Sequence, residues 1–263
     1  MQPLTFGTSE RPLFGLYQSP RSGPPRDNGV VLCHPMGHEY IHTYPAMKQL
    51  AQSLSLAGFH VLRFDYYGSG DSSGETGEGD VSLWCVDVEA AIEEIKDTAR
   101  VTKVCVVGLR LGATLAALVS SKHKAVDRII LWEPIIRGSE YLGELATLSE
   151  DYLRRVLPVP KSGIKNRKTL EVLGFPVSSS LRSSLEELDL LSLDQSPATD
   201  VLIIEQAESS SGHRLQSRLQ DLRCRVEYLS ISEPKVWERG EGLESVVVPT
   251  KTVNSIVTWC AER

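Results

Sequence analysis

The chain has 263 residues, of which 41% are hydrophobic and 24% are charged, a balance typical of a globular domain with a full hydrophobic core. The formal net charge of −6 provides no basic footprint, so nucleic acid and anionic membrane surfaces are disfavoured as partners. No apolar run approaches the roughly 18 residues that cross a bilayer, and the N-terminus lacks a signal-peptide pattern.

Cysteine usage points to a reducing compartment. The chain has five cysteines, an odd number, and none shows C-x-x-C spacing. Several stand inside apolar runs, where a thiol behaves as a small hydrophobic group. We therefore predict a cytoplasmic protein without a disulfide framework. The positions are Cys33, Cys85, Cys105, Cys224 and Cys260.

The predicted elements begin with an edge hairpin and continue as an alternation of strands and helices. The hairpin comprises residues 4–6 and 13–17. Short β-branched runs then alternate with helical periodicities, which is typical of an α/β fold with a mostly parallel sheet and helices on both faces. The predicted strands are 29–33, 60–64, 103–107, 128–132, 201–205 and 225–229. The predicted helices are 44–57, 81–98, 111–121, 215–221 and 251–262.

Residues 135–199, which we call the insertion, break this alternation. The segment is much longer than the usual αβ connection of about two to six residues. It is predicted to hold helices near 140–156, 165–173 and 178–188. Because it follows the end of a strand, we predict a helical lid over the ligand crevice; the alternative is a surface excursion without a role. The predicted division is a core of 1–134 and 200–263 with the insertion between them.

The stretch VCVVGLRLGATLAALV, residues 104–119, predicts a buried strand, a tight glycine turn and an apolar helix. This order matches the G-x-S-x-G nucleophile elbow, in which a reactive serine stands between two glycines on a strand-to-helix turn. Gly108 and Gly112 are in place, but the central residue is Arg110. A guanidinium stays protonated and cannot attack a carbonyl carbon, so an acyl-enzyme at this residue is excluded.

Several motifs together carry a resemblance to a known superfamily. They are LFGLYQSP, VVLCHPMGHEY, GFHVLRFDYYGSGDSSGE, GLRLGA and LEVLGFPVSSSLRSSL. In this order they resemble the α/β-hydrolases and, more narrowly, the exosortase-A-system-associated and serine aminopeptidase-like branch, from about residue 13 to the C-terminus. The resemblance implies the α/β-hydrolase fold, and a structural loop in which Gly68 and Gly70 let the backbone turn and Asp65 braces it.

The resemblance also implies a serine, an acid and a histidine in that chain order, and this sequence departs from the pattern at each place. The counterpart of the acid falls near Ser209, beside Glu208, which is either a displaced acid or, as we favour, a solvated loop residue. The resemblance places the histidine after the last core strand, but the sequence contains no histidine after His213. Trp237 or Glu238 stands near the expected position instead. Ser-His-Asp chemistry is therefore not expected.

A second G-x-S-x-G match occurs at residues 70–74, with Ser72 at its centre. It follows the predicted strand 60–64 and opens into a polar, glycine-rich loop. Because no apolar helix follows it, Ser72 is not expected to be a nucleophile.

Backbone N–H groups near Arg110 are predicted to favour the binding of an anion. The resemblance implies that the N–H groups following the His34-Pro35 pair, at Met36 and Gly37, form one arm of an oxyanion hole. Leu111 supplies the second N–H at a helix N-terminus, where unpaired amides and the helix dipole favour negative charge. Together with the charge of Arg110, this predicts an anion-binding pocket.

Two carboxylates are candidates to pair with Arg110: Glu39, in the facing loop, and Glu133, after the next strand. An unpaired buried arginine is costly, so we expect Arg110 to bind one of them in the empty protein. His38 is a candidate acid or base, because imidazole titrates near neutrality.

A metal site is a weaker hypothesis for the same loop. His34, His38 and His42 are spaced by four residues, but Pro35 and Gly37 interrupt the segment, so a helical face with metal ligands is not assumed.

Three functions remain open, and none requires a cofactor or metal. The favoured one is an atypical enzyme acting on an acyl, ester, thioester or other carbonyl small molecule through Arg110 and the oxyanion donors, with His38, Glu39, Glu133 or Glu208 moving protons. The second is an inactive pseudo-hydrolase that binds an anionic or acyl ligand, a second copy of itself or a pathway protein. The third gives Arg110 a purely structural role. Burial and pairing of Arg110 distinguish them.

Overall fold

The computed structural model describes residues 1–22, 25–123, 125–156, 170–238 and 248–262. The main strands are β1 (Gln2–Gly7), β2 (Pro12–Gln18), β3 (Asn28–Cys33), β4 (His60–Phe64), β5 (Lys103–Leu109) and β6 (Val126–Trp132). Two more strands, β9 (Asp200–Glu205) and β10 (Arg225–Ser230), complete an eight-stranded sheet in the order β1-β2-β4-β3-β5-β6-β9-β10. β2 pairs antiparallel with both neighbours, and the remaining pairs are parallel.

Seven helices and one small hairpin accompany the sheet in the described part of the chain. The helices are α1 (Gly37–Leu56), α2 (Val81–Ala99), α3 (Leu111–Ser120), α4 (Gly138–Val156), α5 (Ser179–Glu186), α6 (Ser210–Asp221) and α7 (Thr250–Glu262). The hairpin joins β7 (Leu170–Val172) to β8 (Phe175–Val177), and a short 3-10 helix covers Leu190–Ser192.

Two hydrophobic cores lie on opposite faces of the sheet, and β5 contributes to both. Val104 and Val106 belong to the core that contains α2 and α3, whereas Cys105 and Val107 belong to the core with α1 and α7. This is why the strand is a continuous apolar run rather than an alternating one, as is typical of parallel strands covered on both faces. The predicted α/β architecture and its edge hairpin are confirmed.

Two helices begin earlier than the sequence predicts. α1 was expected to begin at residue 44, yet it begins at Gly37 and contains Pro45 in its interior. The residues before 44 are helical because Glu39 and Thr43 are buried against the core. Thr43 Oγ1 also donates to the Glu39 carbonyl at 2.8 Å. α6 begins at Ser210 instead of 215, capped by Ser209, whose Oγ accepts the Gly212 N–H.

The insertion contains a hairpin as well as helices. The helices predicted near 140–156 and 178–188 are confirmed as α4 and α5. The helix predicted at 165–173 is wrong where it is described, because residues 170–172 form β7, and its remaining residues lie outside the described part of the chain. Leu173 and Gly174 both have positive φ, at 49° and 90°, as a two-residue hairpin turn requires.

None of the helices in the described ranges has the length and apolar character that crossing a bilayer demands.

Candidate functional site

The turn between β5 and α3 presents Arg110 at the carboxyl edge of the sheet. Arg110 has φ 54° and ψ −123°, a strained conformation for a non-glycine residue that costs about 1–3 kcal/mol. Its N–H donates to the Trp132 carbonyl at 2.9 Å, and its own carbonyl accepts from Ala113 N at 3.0 Å. Backbone bonds on both sides therefore hold Arg110 at this sharp turn.

The glycines flanking Arg110 permit contacts that no side chain would allow. A Cβ on Gly108 would lie 2.3 Å from the Gly112 carbonyl oxygen. A Cβ on Gly112 would lie 2.3 Å from the carbonyl oxygen of Cys33 and 2.4 Å from that of His34. The first turn of α3 is thus pressed against the β3–α1 turn, where Met36 and Gly37 lie.

The amino ends of α1 and α3 consequently meet at one edge of the sheet. Within the described residues no side chain caps either helix at Met36 or Arg110. The first N–H groups of a helix have no intrahelical acceptor, and the helix dipole adds positive potential there. Backbone donors and the Arg110 charge therefore concentrate in this place.

The guanidinium of Arg110 contacts two carboxylates and two aromatic rings. Nε donates to Glu39 Oε1 at 3.0 Å, and Nη2 donates to Glu144 Oε2 at 2.8 Å. Its central carbon lies 5.3 Å from the ring centroids of both Tyr141 and Trp237, a cation–π arrangement. Only 11% of the Arg110 side chain is exposed. We call these five residues the Arg110 cluster; its Glu39 pair was predicted and is confirmed.

The buried charges of the Arg110 cluster stabilise one another. Burial raises the pKa of Glu39, while Arg110 and the Tyr141 hydroxyl, which donates to Glu39 Oε2 at 3.0 Å, oppose the rise. Burial alone would lower the pKa of Arg110, but Glu39 and Tyr141 raise it above its ordinary value. Arg110 is therefore a permanent cation whose charge Glu39 and Glu144 balance.

Glu133 and Glu208 lie outside the Arg110 cluster. The Glu133 carboxylate accepts the N–H of Gln206, so Glu133, the alternative partner predicted for Arg110, does not pair with it. Burial raises the pKa of Glu133. Glu208 has a 71% exposed side chain 3.7 Å from His213 Nε2, and the structure does not bring it to Arg110. Trp237, by contrast, reaches Arg110, a contact that the sequence did not predict.

His38 lies in the first turn of α1 and is buried. Its burial, together with nearby His42 and Arg110, lowers its pKa to about 4. The rings of His38 and His42 are 6.4 Å apart on one continuous helix, so the expectation that Gly37 interrupts this face is wrong. No group of three or more metal-ligating side chains occurs among the described residues.

The imidazole of His38 is expected to titrate near pH 4 in long-range proton–nitrogen NMR spectra, with a His38→Gln variant assigning the signal. Because the folded-state pKa lies below the ordinary 6.5, the stability that His38 contributes is present above pH 6.5 and is lost as the pH falls toward 4. A midpoint near 6.5 would contradict the burial of this ring.

His34 stands at the end of β3 and contacts aromatic rings. Its ring centroid is 5.3 Å from that of Tyr40 and 6.4 Å from that of Tyr44. Its Nδ1 atom is buried and has no hydrogen-bond partner among the described residues. Burial and the charge of Arg63 lower the pKa of His34 to about 3.

The loop after β4 has the structural character that was predicted for it. Asp65 accepts the Tyr40 hydroxyl at 2.7 Å and the Asp71 N–H at 3.0 Å. Gly68 and Gly70 have φ of 74° and 55°, and a Cβ on Gly70 would lie 2.2 Å from Asp65 Oδ2. Ser72 Oγ donates to the Asp65 carbonyl at 2.6 Å and accepts the Phe14 N–H at 2.8 Å. These bonds occupy the Ser72 hydroxyl.

A cleft of about 90 Å³, open on one side, lies next to the β3–α1 turn. Met36 and Gly37 form one wall, the loop at 68–79 forms another, and Trp84 with Phe175 supplies aromatic surface. Arg110 is not among its lining residues. Trp84 and Phe175, together with Tyr141 and Glu144 of the Arg110 cluster, were not predicted as site residues from the sequence. Tyr141 and Glu144 share one helix face at i, i+3 spacing, which was the available signal.

The sequence of this chain matches a known protein family. The family described as "Serine aminopeptidase, S33" matches residues 24–188, more than half of the sequence. The chain belongs to this hydrolase family. Within curated proteins, human Protein ABHD12B is 34% identical over 113 residues. That match covers 41% of this chain and only 30% of the relative's length.

Solved structures place this S33 family member in the α/β-hydrolase fold. Est1E from Butyrivibrio proteoclasticus, solved with ferulic acid, has a TM-score of 0.69 at 13% identity, with 98% of each chain covered. The Pyrococcus furiosus esterase Pf2001 has a TM-score of 0.68 at 18% identity, covering 99% of this chain and 90% of that one. At these identities the likeness concerns the fold, and the predicted fold is confirmed.

Proposed function

We propose that this S33 family member is a non-hydrolytic binding protein, in which Arg110 replaces the nucleophilic serine and ties the insertion to the core. The observation that carries the proposal is the engagement of the Arg110 guanidinium. Two carboxylates bind it, its central carbon lies over two aromatic rings, and 11% of the side chain is exposed. A cation held in this way has little surface left for a substrate.

The sequence favoured an enzyme that activates a carbonyl through Arg110, and the geometry shifts the preference to the binding protein. Glu39 and Glu144 satisfy donors that a substrate oxygen would need. Both carboxylates of the cluster are engaged rather than free to act as a general base: Glu39 is paired with Arg110 and Tyr141, and Glu144 is paired with Arg110. His38 is neutral at physiological pH and sits beside a cation. A substrate would have to displace a buried ion pair, which costs several kcal/mol.

The cleft beside the β3–α1 turn is the proposed ligand site. Its aromatic and apolar walls, Trp84, Phe175 and Leu181, suit an acyl chain or a flat ring. Met36 and Gly37 bring the amino end of α1 to the same cleft, where a carboxylate or carbonyl oxygen of the ligand is favoured. In this role the insertion acts as a lid, because Phe175 belongs to β8 within it.

We also propose that the chain belongs to the narrower group of exosortase-A-system-associated proteins. It is supported by the five motifs that occur in order from LFGLYQSP to LEVLGFPVSSSLRSSL. In such a setting the anticipated partners are a small acyl or anionic ligand and either a second copy of the chain or a pathway protein.

Purified protein is expected to show no fluorophosphonate labelling and no hydrolysis of p-nitrophenyl esters or acyl thioesters above the uncatalysed rate. Arg110→Ala is expected to be equally inactive, because an arginine supplies no nucleophile and its removal creates none. Turnover that is lost in Arg110→Ala would support the enzyme hypothesis and overturn this one. Labelling that is lost in Ser72→Ala would place a nucleophile in the loop after β4.

Ligand binding is tested with octanoate and ferulate as probes. Ferulate is chosen because Est1E, which has a similar fold, was solved with ferulic acid. Titration of the wild type with either probe is expected to quench or enhance tryptophan fluorescence. The affinity is expected to weaken at least about tenfold in Phe175→Ala, which removes an aromatic wall. Tyr152→Ala, an exposed aromatic substitution away from the cleft, is the matched control. Equal affinity in both variants would contradict this site.

A further inference from the structure

The cleft beside the β3–α1 turn is small, and aromatic side chains form part of its wall. It has a volume of about 90 Å³ and is open on one side, with Trp84 and Phe175 among the residues that line it. A closed apolar cavity of about 150 Å³ holds one benzene ring. The open cleft therefore has room for a single flat ring whose outer edge stays in solvent, whereas a long acyl chain would extend beyond it.

The two ends of the cleft lie close together, because consecutive residues of β8 contact them. A Cβ on Gly37, at the amino end of α1, would lie 3.6 Å from the Phe175 Cβ. A Cβ on Gly77, in the loop after β4, would lie 3.2 Å from the Pro176 Cγ. Since consecutive Cα atoms are about 3.8 Å apart, both ends are within reach of one ring that carries a substituent at each end.

The loop end of the cleft offers hydrogen-bonding groups that the protein itself does not use. Ser69 and Thr76 line the cleft, and their hydroxyls have no partner among the described residues. The N–H groups of Gly77 and Gly79, which also line it, have no acceptor within the same part of the chain. Gly77 has φ 100°, and the lack of a side chain at such positions lets a ligand approach the backbone closely. A polar ligand atom is therefore favoured at this end.

The charges around the cleft differ between its two ends. Residues 71–80, DSSGETGEGD, contain four carboxylates and no basic residue. Arg11 lies over the Tyr67 ring in the same loop, but its charge is paired with Asp87 at 2.7 Å. The amino end of α1 has the opposite character, because its amides and the helix dipole favour negative charge. A ligand is thus expected to place its anionic group at α1 and an uncharged group at the loop.

We propose that the cleft binds an aromatic hydroxy acid, with its carboxylate at the amino end of α1 and its uncharged hydroxyl at Ser69 and Thr76. The ring of the ligand packs against Trp84 and Phe175. A hydroxyl both donates and accepts, so it can satisfy the free hydroxyls and the backbone N–H groups of the loop together. This inference rests on the proposed function, and it adds the chemical class of the ligand and its orientation in the cleft.

Three benzoates that differ only opposite to the carboxylate test the inference. They are benzoate, 4-hydroxybenzoate and terephthalate, titrated into the full chain at pH 7.5 by isothermal calorimetry. We expect 4-hydroxybenzoate to bind about fivefold more tightly than benzoate, as one additional hydrogen bond provides. Terephthalate is expected to bind at least about fivefold more weakly than benzoate, because its second carboxylate meets the acidic loop. This comparison of ligands requires no variant of the protein.

Substitutions in the loop assign the preference to its residues. Thr76→Val, which keeps the side-chain volume, and Ser69→Ala are each expected to reduce the fivefold ratio between 4-hydroxybenzoate and benzoate to about twofold or less. Thr5→Val is the matched control, because Thr5 is exposed on β1 and does not line the cleft; there the ratio is expected to persist. Glu75→Gln is expected to narrow the gap between terephthalate and benzoate, because it removes one carboxylate of the loop.

The result can separate this inference from the proposed function. If octanoate and ferulate bind and Phe175→Ala weakens them, but the three benzoates bind equally, the orientation proposed here is overturned and the binding protein stands. A hydroxyl preference of unchanged size in both Thr76→Val and Ser69→Ala overturns it too. If the wild type binds none of the five probes, the proposed function fails and this inference fails with it.

Discussion

Glu39→Gln is expected to lower the free energy of unfolding by about 3 kcal/mol, because it leaves Arg110 partly uncompensated in a buried position. Glu39 is 3% exposed and accepts both the Arg110 Nε–H and the Tyr141 hydroxyl. The glutamine has almost the same shape, so the loss reports charge rather than a cavity. Urea unfolding followed by tryptophan fluorescence measures it.

The matched control is Glu144→Gln, which removes the other carboxylate of the Arg110 cluster. Glu144 is 60% exposed, and exposed ion pairs contribute about 1 kcal/mol or less. A double-mutant cycle of Glu39→Gln with Arg110→Met is expected to show a coupling energy of about 2 kcal/mol. Equal effects of the two glutamine substitutions, or no coupling, would mean that Arg110 is not committed to Glu39 and is available to a ligand.

Gly112→Ala is expected to destabilise the protein by about 3 kcal/mol or more, since the added methyl group overpacks a backbone contact. The new Cβ would lie 2.3 Å from the Cys33 carbonyl and 2.4 Å from the His34 carbonyl. These atoms are main chain of a buried strand and its turn, so neither can move without shifting β3. The free energy of unfolding from urea titration is the measurement.

Gly143→Ala is the control for Gly112→Ala, because it makes the same chemical change in another helix. A Cβ on Gly143 would meet nothing within 4 Å, so the substitution is expected to stabilise α4 by about 0.5–1 kcal/mol through helix propensity. Opposite signs for the two substitutions would establish that the β5–α3 turn is held by close packing. A mild effect of Gly112→Ala would contradict the contact between α3 and the β3–α1 turn.

The strands were predictable because each is a short run whose character does not depend on distant residues. Parallel strands with cores on both faces must be apolar throughout, and Val104 to Val107 alternate between the two cores in the structure. The turn at Arg110 was predictable for the same local reason, as a glycine pair separates an apolar strand from an apolar helix. The β7–β8 hairpin was not, because its three-residue strands are too short for periodicity to distinguish them from a helix.

Partner choice within the site was predicted only in part. The sequence placed Glu39 opposite Arg110, and the two side chains are 3.0 Å apart. It offered Glu133 as an equal candidate, although Glu133 has φ 49° and accepts from Gln206. Glu144 and Tyr141 were missed because they come from the insertion, whose approach to the sheet edge depends on packing between α4, α5 and α2.

The sequence by itself determined the alternating fold and the turn that presents Arg110, a residue that cannot act as a nucleophile, since these follow from local periodicity, glycine chemistry and residue identity. Only the tertiary structure decided that Arg110 is enclosed by Glu39, Glu144, Tyr141 and Trp237. The reason is physical: whether a charge is buried and paired depends on groups that lie far apart in the chain, and folding alone brings them into contact.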